Sequence, residues 1–387
     1  MIFHIGRRSI MTIFSLLCLT LACSKEPRNY KLIAGIPEYY FENGYLDDKL
    51  NELKNAMSVS NGVTFGFLSD IHISKYLYSE DPHSTSGNAG YSPFLLKYFI
   101  DSLHIPFVLF GGDVPVVRTR SWDDIVGSAN RWQQMMNVIG KERVFQTRGN
   151  HDYLGFASID AKEVTTCTPD FLYHVLMGEN HIYDVNSAEG KMYYYFDVDN
   201  TNLRVIVLDD YGDNDTLLSI SGVSCIGQSQ YDWLINTALN CEGKSILLLS
   251  HQTSDPILNE GEEDVDENRA VLHEILKAFV NKSFLDFTST DGNGVVTVKK
   301  DFSQDTNTFI CHLSGHQHRD ASSVTDGVLS IEHTCDCYSG YLYQGNYPER
   351  IPGTIKEHAV SFFSIDFDSR AISMTRIGAG VNREWNY

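Results

Sequence analysis

Five short motifs rich in histidine and aspartate run along this chain, each at the end of an apolar stretch. They read Ser69-Asp70-Ile71-His72, Gly111-Gly112-Asp113, Gly149-Asn150-His151-Asp152, Ser250-His251 and Gly315-His316-Gln317-His318. Asp70 and His72 lie two residues apart after the apolar run 63–68, which predicts a buried strand. Alternate residues of an extended chain point the same way, so we expect both side chains to reach one ion. His316 and His318 repeat this spacing after a second apolar run.

The three middle motifs add other donors. Asp113 supplies a carboxylate, Asn150 a carboxamide and His251 a further imidazole. Hard oxygen ligands mixed with imidazoles suit Mn, Fe or Zn better than they suit Ca or a thiolate site. The sequence therefore predicts a site for ions of this class.

The elements that must position these motifs alternate between strands and helices. Strands are predicted at 63–68, 106–110, 143–146, 192–197, 203–208, 245–249, 284–288, 295–299, 308–313, 359–366 and 369–376, and helices at 46–57, 94–103, 122–139, 228–239 and 268–280. This alternation is typical of a layered α/β core. Every motif follows a predicted strand, where open α/β sheets place their ligand sites.

The ordered set of five motifs resembles the calcineurin-like metallophosphoesterases, and the resemblance spans about residues 63–319. It implies an α/β (α+β) fold, a four-layer sandwich of two mixed β-sheets flanked by helices. We expect the metallophosphoesterase domain to cover residues 61–335. Residues 336–387 are expected to form a C-terminal extension that packs on this core.

The resemblance also implies a ligand set for two divalent ions, with Mn, Fe or Zn left open. The first ion would be bound by Asp70, His72 and His318, the second by Asn150, His251 and His316, and Asp113 would bridge the two. Two ions roughly 3.5–4 Å apart clamp an in-line displacement at phosphorus, with a bridging hydroxide as nucleophile. His151 is expected to assist the leaving group rather than bind metal, and Asp152 to orient the His151 ring.

Three further residues have weaker assignments. Arg118 and Arg148 flank the motifs and could contact a substrate phosphate, or each could form a structural ion pair. His312 lies in the strand before His316, and we expect it to be a core histidine whose nitrogens are hydrogen-bonded.

The reaction is a phosphate ester hydrolysis, and several substrate classes stay open. Purple acid phosphatases carry a tyrosine three residues after the bridging aspartate, where this chain has Val116. Protein serine/threonine phosphatases end the third motif in glutamate, where this chain has Asp152. A small phosphomonoester or phosphodiester remains, and the alternatives are a cyclic-nucleotide phosphodiesterase or a nuclease. The non-enzymatic alternative is a catalytically idle surface lipoprotein that uses the fold for binding.

The N-terminus predicts export. Arg7 and Arg8 precede the apolar run 10–22, which is too short to span a membrane stably and is typical of a signal peptide at residues 1–22. The run ends in Ala22-Cys23, which resembles a bacterial lipobox and implies lipidation of Cys23; an ordinary signal peptide is the alternative. Residues 23–60 would then be a lipid-anchored tether and an N-terminal helix. We expect a bacterial exported lipoprotein at the cell envelope, facing the periplasm or the cell surface.

The charge balance argues against a nucleic-acid binder and disfavours the nuclease alternative unless a local basic groove exists. Removal of the signal reduces Lys plus Arg from 30 to 28 against 50 Asp plus Glu, a net charge near −22. Such a surface repels the phosphates of nucleic acids, so the expected partners are a small phosphate ester and, through the anchor, a membrane.

Overall fold

The structure is a computed structural model, and it describes most of the chain beyond the N-terminus. The described residues are 35–72, 91–114, 122–152, 156–157, 164–165, 176, 181–188, 191–211, 226–260, 268–290, 295–336, 348–351 and 353–387, without the side chains of 122–126, 128, 156–157 and 164–165. The predicted signal peptide, Cys23, Val116 and Arg118 lie outside them. Within these residues we find no helix with the length and apolar character needed to cross a membrane.

The elements alternate as the sequence predicts. The strands are β1 (Gly62–Leu68), β2 (Val108–Phe110), β3 (Val144–Gln146), β4 (Phe156–Ala157), β5 (Val164–Thr165), β6 (Asn186–Ser187), β7 (Tyr194–Asp197), β8 (Leu203–Val207), β9 (Ser245–Leu249), β10 (Phe284–Ser289), β11 (Val296–Asp301), β12 (Thr308–Ser314), β13 (Ala321–Thr325), β14 (Val328–Glu332), β15 (Ala359–Asp366), β16 (Ala371–Gly378) and β17 (Arg383–Asn386). The helices are α1 (Tyr45–Ala56), α2 (Ser92–Leu103), α3 (Trp122–Ile139), α4 (Gln228–Trp233), which runs on into a π-helical turn at Leu234–Ala238, and α5 (Arg269–Val280). Short 3₁₀ turns lie at Glu38–Tyr40, Glu42–Gly44 and Lys141–Arg143.

Two mixed sheets form the centre of the molecule. The first has the strand order β17-β16-β15-β1-β2-β3, and the second has the order β13-β14-β12-β9-β8-β7-β6. Strands β1, β2 and β3 are parallel, as are β8, β9, β12 and β14, whereas the outer strands pair antiparallel. The central strands read as nearly continuous apolar runs because both of their faces are covered.

The covering layers confirm the four-layer sandwich. Helices α1 and α2 pack on β16 and β15 of the first sheet, and α5 packs on β12 and β14 of the second. Residues of β9 alternate between two cores: Leu247 and Leu249 face the first sheet, whereas Ile246 and Leu248 pack under α4 and α5. This alternation is the period of two expected for a strand between two apolar layers.

Six strands were missing from the sequence prediction: β4, β5 and β6, which have two residues each, and β13, β14 and β17. The turn between β13 and β14 carries Asp326 and Gly327, with φ values of 54° and 87°. An Asp-Gly pair of this kind is a hairpin signal that the sequence displays. Strand β17 is short and polar, and its pattern carries no comparable signal.

The segment after residue 335 contributes three strands to the first sheet. Strand β15 pairs with β1 over six residues, from Gly62↔Asp366 to Phe67↔Ser361. The domain boundary at 335 stays a prediction, but the strand beside β1, which leads directly into the first motif, comes from the end of the chain.

We expect Phe67→Ala to lower the free energy of unfolding by about 3–5 kcal/mol. Phe67 has no exposed surface and packs edge-on against His333 and Phe363, with ring centroids 4.9 and 5.7 Å away. Urea unfolding would measure the loss. The matched control is Phe284→Ala, whose ring is 57% exposed and whose removal should cost about 1 kcal/mol at most. Equal losses in the two variants would contradict this placement of the core.

Candidate metal centre

The motifs meet where the carboxyl ends of the parallel strands of both sheets come together. The first three follow β1, β2 and β3 of the first sheet, and the last two follow β9 and β12 of the second. The loops stay hydrogen-bonded to one another beyond the strands: Asp70 N donates to Gly112 O and His72 N to Asp113 O, each at 3.0 Å. The motif residues therefore sit on a rigid framework rather than on free loops.

The side chains of the first and last motifs converge for a reason other than the one predicted. Strand β1 ends at Leu68, and Asp70 and His72 have φ values of 53° and 50°. His316 and His318 after β12 have φ values of 73° and 59°. Our expectation that extended-chain alternation aligns each pair is thus wrong. In each pair, left-handed backbone conformations at residues two apart turn both side chains inward. This conformation costs a non-glycine residue about 1–2 kcal/mol.

One group of side chains surrounds the first predicted ion position. His318 Nε2 lies 3.2 Å from Asp70 Oδ1 and 3.1 Å from His72 Nε2. His72 Nε2 in turn lies 4.0 Å from Asp113 Oδ2. Ligand atoms of Asp70, His72 and His318 all lie close enough to hold one ion.

A second group lies on the other side of Asp113. His251 Nε2 lies 3.4 Å from Asp113 Oδ2, 3.1 Å from Asn150 Oδ1 and 3.2 Å from His316 Nδ1. His251 Nδ1 lies 2.6 Å from the carbonyl oxygen of Gly111. This oxygen can accept a hydrogen bond from Nδ1–H, which leaves Nε2 free to bind metal. The structure thus brings together all seven residues predicted as ligands, with Asp113 between the two groups.

The arrangement fits bound cations on grounds internal to the structure. Asp70 is fully buried, and its Oδ1 atom has no hydrogen bond of good geometry among the described residues; the His318 Nε2 atom 3.2 Å away is itself a predicted metal ligand. A buried carboxylate oxygen without a partner is costly unless a cation or donor occupies the space beside it. The nitrogen–nitrogen contacts in both groups likewise aim lone pairs at shared points, as ligands of one ion do. Mixed carboxylate, amide and imidazole donors suit Mn, Fe or Zn.

Burial and charge set the protonation of the histidines. Burial lowers the pKa of His72 and of His316 to about 3, so both are neutral and ready to bind metal. Burial acts in the same direction on His251, but the charge of Asp113 outweighs it and raises the pKa of His251 to about 10. The pKa of His318 is also raised, because Cys335 and Asp70 outweigh burial. Without cations, protons on these two imidazoles compensate the buried carboxylates.

His151 lies at the open side of the cluster. Its side chain is one quarter exposed, and Nε2 lies 3.8 Å from Asp113 Oδ2. The ring meets His72 edge-on at 5.0 Å, and the backbone N–H donates to Asp113 Oδ1 at 2.7 Å. The imidazole can therefore present a nitrogen both to the centre and to a molecule arriving from solvent.

Asp152 has a different role from the one predicted. Its Oδ2 accepts hydrogen bonds from the backbone N–H groups of Asp113 (2.9 Å) and Gly149 (2.7 Å), and Oδ1 accepts from Val114 N (2.8 Å). Both oxygens are thus occupied by backbone donors, and the prediction that Asp152 orients the His151 ring is corrected. Asp152 instead ties the loop after β3 to the loop after β2. Burial and the Asp113 charge raise the pKa of Asp152 to about 8, against the effect of these donors.

The structure also decides between the alternatives for Arg148 and His312. Arg148 is 1% exposed and donates from Nε to Asp209 Oδ1 at 2.8 Å, so it forms a structural ion pair rather than a substrate contact. His312 is fully buried, with Ser250 Oγ 2.6 Å from Nε2 and Ser254 Oγ 3.1 Å from Nδ1. It is the satisfied core histidine that we predicted.

Sequence reasoning missed several residues that shape the centre. Ser69 Oγ donates to Asp70 Oδ2 at 2.5 Å, and Gln252 Nε2 lies 3.0 Å from His316 Nε2. Gly149 and Gly315 allow close approach, because a Cβ atom at either would collide with Asp113 or with Ser69 and Asp70. The glycines are visible in the motifs, but the reason for them is the packing of one motif against another.

Comparison with known proteins agrees with this geometry. The family model described as "Calcineurin-like phosphoesterase" matches residues 63–320. A dimetal phosphatase from Danio rerio superposes with a TM-score of 0.53 at 12% identity, covering 84% of this chain and 99% of that one. The anchor protein of the inner membrane complex of Plasmodium gives 0.42 at 11% identity, covering 84% and 89%. No curated protein sequence matches this chain significantly. At these identities the structural likeness shows the fold alone.

We expect Mn²⁺ binding to release about two protons per chain at pH 7, because metal must displace the protons held by His251 and His318. Calorimetric titration in buffers of different ionisation enthalpy would measure both the protons and the number of ions bound. Protons compete with metal, so the apparent affinity should rise with pH towards the pKa of about 10 of His251. Binding without proton release, or an affinity that falls as the pH rises from 6 to 8, would contradict these protonation states.

Proposed function

The chain belongs to the calcineurin-like phosphoesterase family and is a hydrolase of phosphoester bonds, and we propose that it hydrolyses a small-molecule phosphate ester at a two-metal centre. The observation that carries the proposal is the position of Asp113, whose Oδ2 atom lies 4.0 Å from His72 Nε2 in one group and 3.4 Å from His251 Nε2 in the other. The proposed ligands are Asp70, His72 and His318 for one ion, Asn150, His251 and His316 for the other, and Asp113 for both.

Bound divalent ions would supply Lewis acidity and would lower the pKa of water at the centre. The protein contributes fixed geometry and compensating charge. Asp70 and Asp113, 0% and 2% exposed, provide the negative charge that retains two cations. The loops hold these carboxylates through backbone donors, so little reorganisation is needed when the substrate arrives.

We assign proton transfer to His151. Its position at the open side, with Nε2 3.8 Å from Asp113 Oδ2 and the ring against His72, would let it donate a proton to the leaving group of a substrate bound at the centre. Asp152 supports this residue indirectly, through the loop that carries it. A small substrate is favoured over nucleic acid because the chain carries a net charge of −20. Monoesters, diesters and cyclic nucleotides are all compatible with this site.

We also propose that the enzyme works at the cell envelope, anchored by lipid on Cys23. Support comes from the N-terminal sequence, in which Arg7 and Arg8 precede an apolar run that ends in Ala22-Cys23. The substrate would then be a phosphate ester outside the cytoplasm.

We expect His151→Ala to slow turnover by about 10²–10⁴-fold while the metal content stays near that of the wild type. The loss should be smaller for nitrophenyl esters, whose leaving group needs little protonation, and larger for alkyl esters. Steady-state kinetics with both ester classes and metal analysis of the same samples would test this. His316→Ala is the comparison variant, and it should lose metal and activity together on every substrate. An equal loss for aryl and alkyl esters would disprove leaving-group assistance, and a missing ion in His151→Ala would make His151 a ligand.

We expect Cys23→Ser to abolish lipid labelling and to leave the protein either released in soluble form or uncleaved. Metabolic labelling with a fatty acid, followed by membrane fractionation, would show this. Cys335→Ser is the control, since Cys335 is buried in the core and should not affect labelling. Labelling that persists in Cys23→Ser would refute the anchor.

A further inference from the structure

A turn outside the five motifs lies beside the proposed second ion position. It consists of Asp209, Asp210 and Tyr211, follows β8, and is at most 5% exposed at each residue. Strand β8 lies next to β9 in the second sheet, and its end faces the end of β3 in the first, where Thr147 Oγ1 donates to Leu208 O at 2.6 Å. Each side chain of this turn reaches a loop that carries a proposed ligand of the second ion.

Asp209 holds the loop of Asn150. Arg148, two residues before Asn150, donates from Nε to Asp209 Oδ1 at 2.8 Å. The backbone of Asp209 is itself held from both sides by Gln230 of α4, which accepts from Asp209 N at 2.8 Å and donates to Asp209 O at 2.9 Å. Gln230 therefore fixes the position of Asp209, and with it the position of the ion pair.

Asp210 holds the loop of His251. The backbone N–H of Gln252, the residue after His251, donates to Asp210 Oδ2 at 2.7 Å. Arg269 at the start of α5 lies 3.3 Å from the same oxygen and compensates the charge of this fully buried carboxylate.

Tyr211 reaches His316 through the side chain of Gln252. The Gln252 amide nitrogen lies 2.8 Å from Tyr211 Oη and 3.0 Å from His316 Nε2. His316 Nδ1 faces His251 Nε2 at 3.2 Å, so Nδ1 is the nitrogen directed at the ion. When Nδ1 binds metal, Nε2 carries the proton and must donate it. Turning the amide over exchanges its nitrogen and oxygen at nearly the same positions and gives Nε2 an acceptor.

We propose that Asp209, Asp210 and Tyr211 are positioning residues for the second ion, and that Gln252 accepts the hydrogen bond of His316 Nε2–H through its amide oxygen. Asp209 and Asp210 fix the loops of Asn150 and His251 directly, and Tyr211 acts on His316 through the Gln252 side chain. The first ion has no ligand attached to this turn through these contacts, so the turn acts on one of the two sites. This inference rests on the proposed two-metal centre.

The test compares Gln252→Met with Gln252→Glu by Mn²⁺ titration in a calorimeter, with thermal unfolding to show that both variants fold. Gln252→Met keeps the length of the side chain but has no strong acceptor. It should weaken the second ion by about 10–100-fold and leave the first unchanged. Gln252→Glu keeps an acceptor and has no amide donor, so it should bind the second ion nearly as the wild type does. Equal weakening in the two variants would overturn the assignment of the amide, as would two unchanged affinities in Gln252→Met.

Tyr211→Phe removes one hydroxyl and should weaken the second ion by about 10-fold, at the lower end of that range. The control is Tyr387→Phe, which removes the hydroxyl that donates to Asp366 O at 3.4 Å. Asp366 pairs with Gly62, at the end of β1 opposite the first motif, so both affinities should stay unchanged. Equal affinities in Tyr211→Phe and the wild type would overturn the role of the turn. If the wild type itself bound fewer than two ions, the proposed two-metal function would fail as well, which separates the two outcomes.

Discussion

The rest of this structure depends on two buried carboxylates at the junction of the two sheets, because their charge must be compensated. Asp70 and Asp113 are almost fully removed from solvent, and each buried charge costs several kcal/mol unless it is compensated. The fold compensates with hydrogen-bond donors, among them Ser69 Oγ and the backbone N–H of His316 to Asp70, and with imidazoles that hold protons. What remains unmatched, above all Asp70 Oδ1, is the part that a cation satisfies. The centre is therefore stable as a whole only with positive charge in place.

The five loops approach one another closely because the buried carboxylates must be compensated. This close approach explains the left-handed backbone conformations of the motifs. Five residues have left-handed backbone conformations, which cost free energy: Asp70, His72, Asp113, His316 and His318. Hydrogen bonds between the loops offset this cost. Asp152, which ties three backbone amides together, shows how a side chain in a motif can serve the backbone rather than the reaction.

The sequence predicted most of the strands, the order of the motifs and the seven residues that converge, because these depend on local apolar runs and on residue type. It could not predict how the residues converge. The positive φ values arise from contacts between loops far apart in the chain, and the sequence pattern of 63–72 looks simply extended. Arg148 was equally ambiguous, since its partner Asp209 is 61 residues away and nothing local marks the pair. Strand β14 had a visible Asp-Gly turn, whereas the proposed positioning role of Asp209, Asp210 and Tyr211 can be inferred only from the structure, in which the ends of β8 and β3 lie side by side.

The two ion positions are held by different parts of the chain, which gives them different sensitivities. Beside the first, Thr334 Oγ1 donates to His318 O at 2.7 Å, and Thr334 N donates to Asp320, which forms a buried ion pair with Arg376 of β16. That support includes strands from the end of the chain. Beside the second, the support comes from the turn after β8, in the middle of the sequence. A substitution in the C-terminal strands should therefore weaken ion binding at the first position more than at the second, because only the first is linked to β16 by these contacts. Asp113 would be a ligand of both ions, so it is the one proposed ligand whose loss should affect both positions.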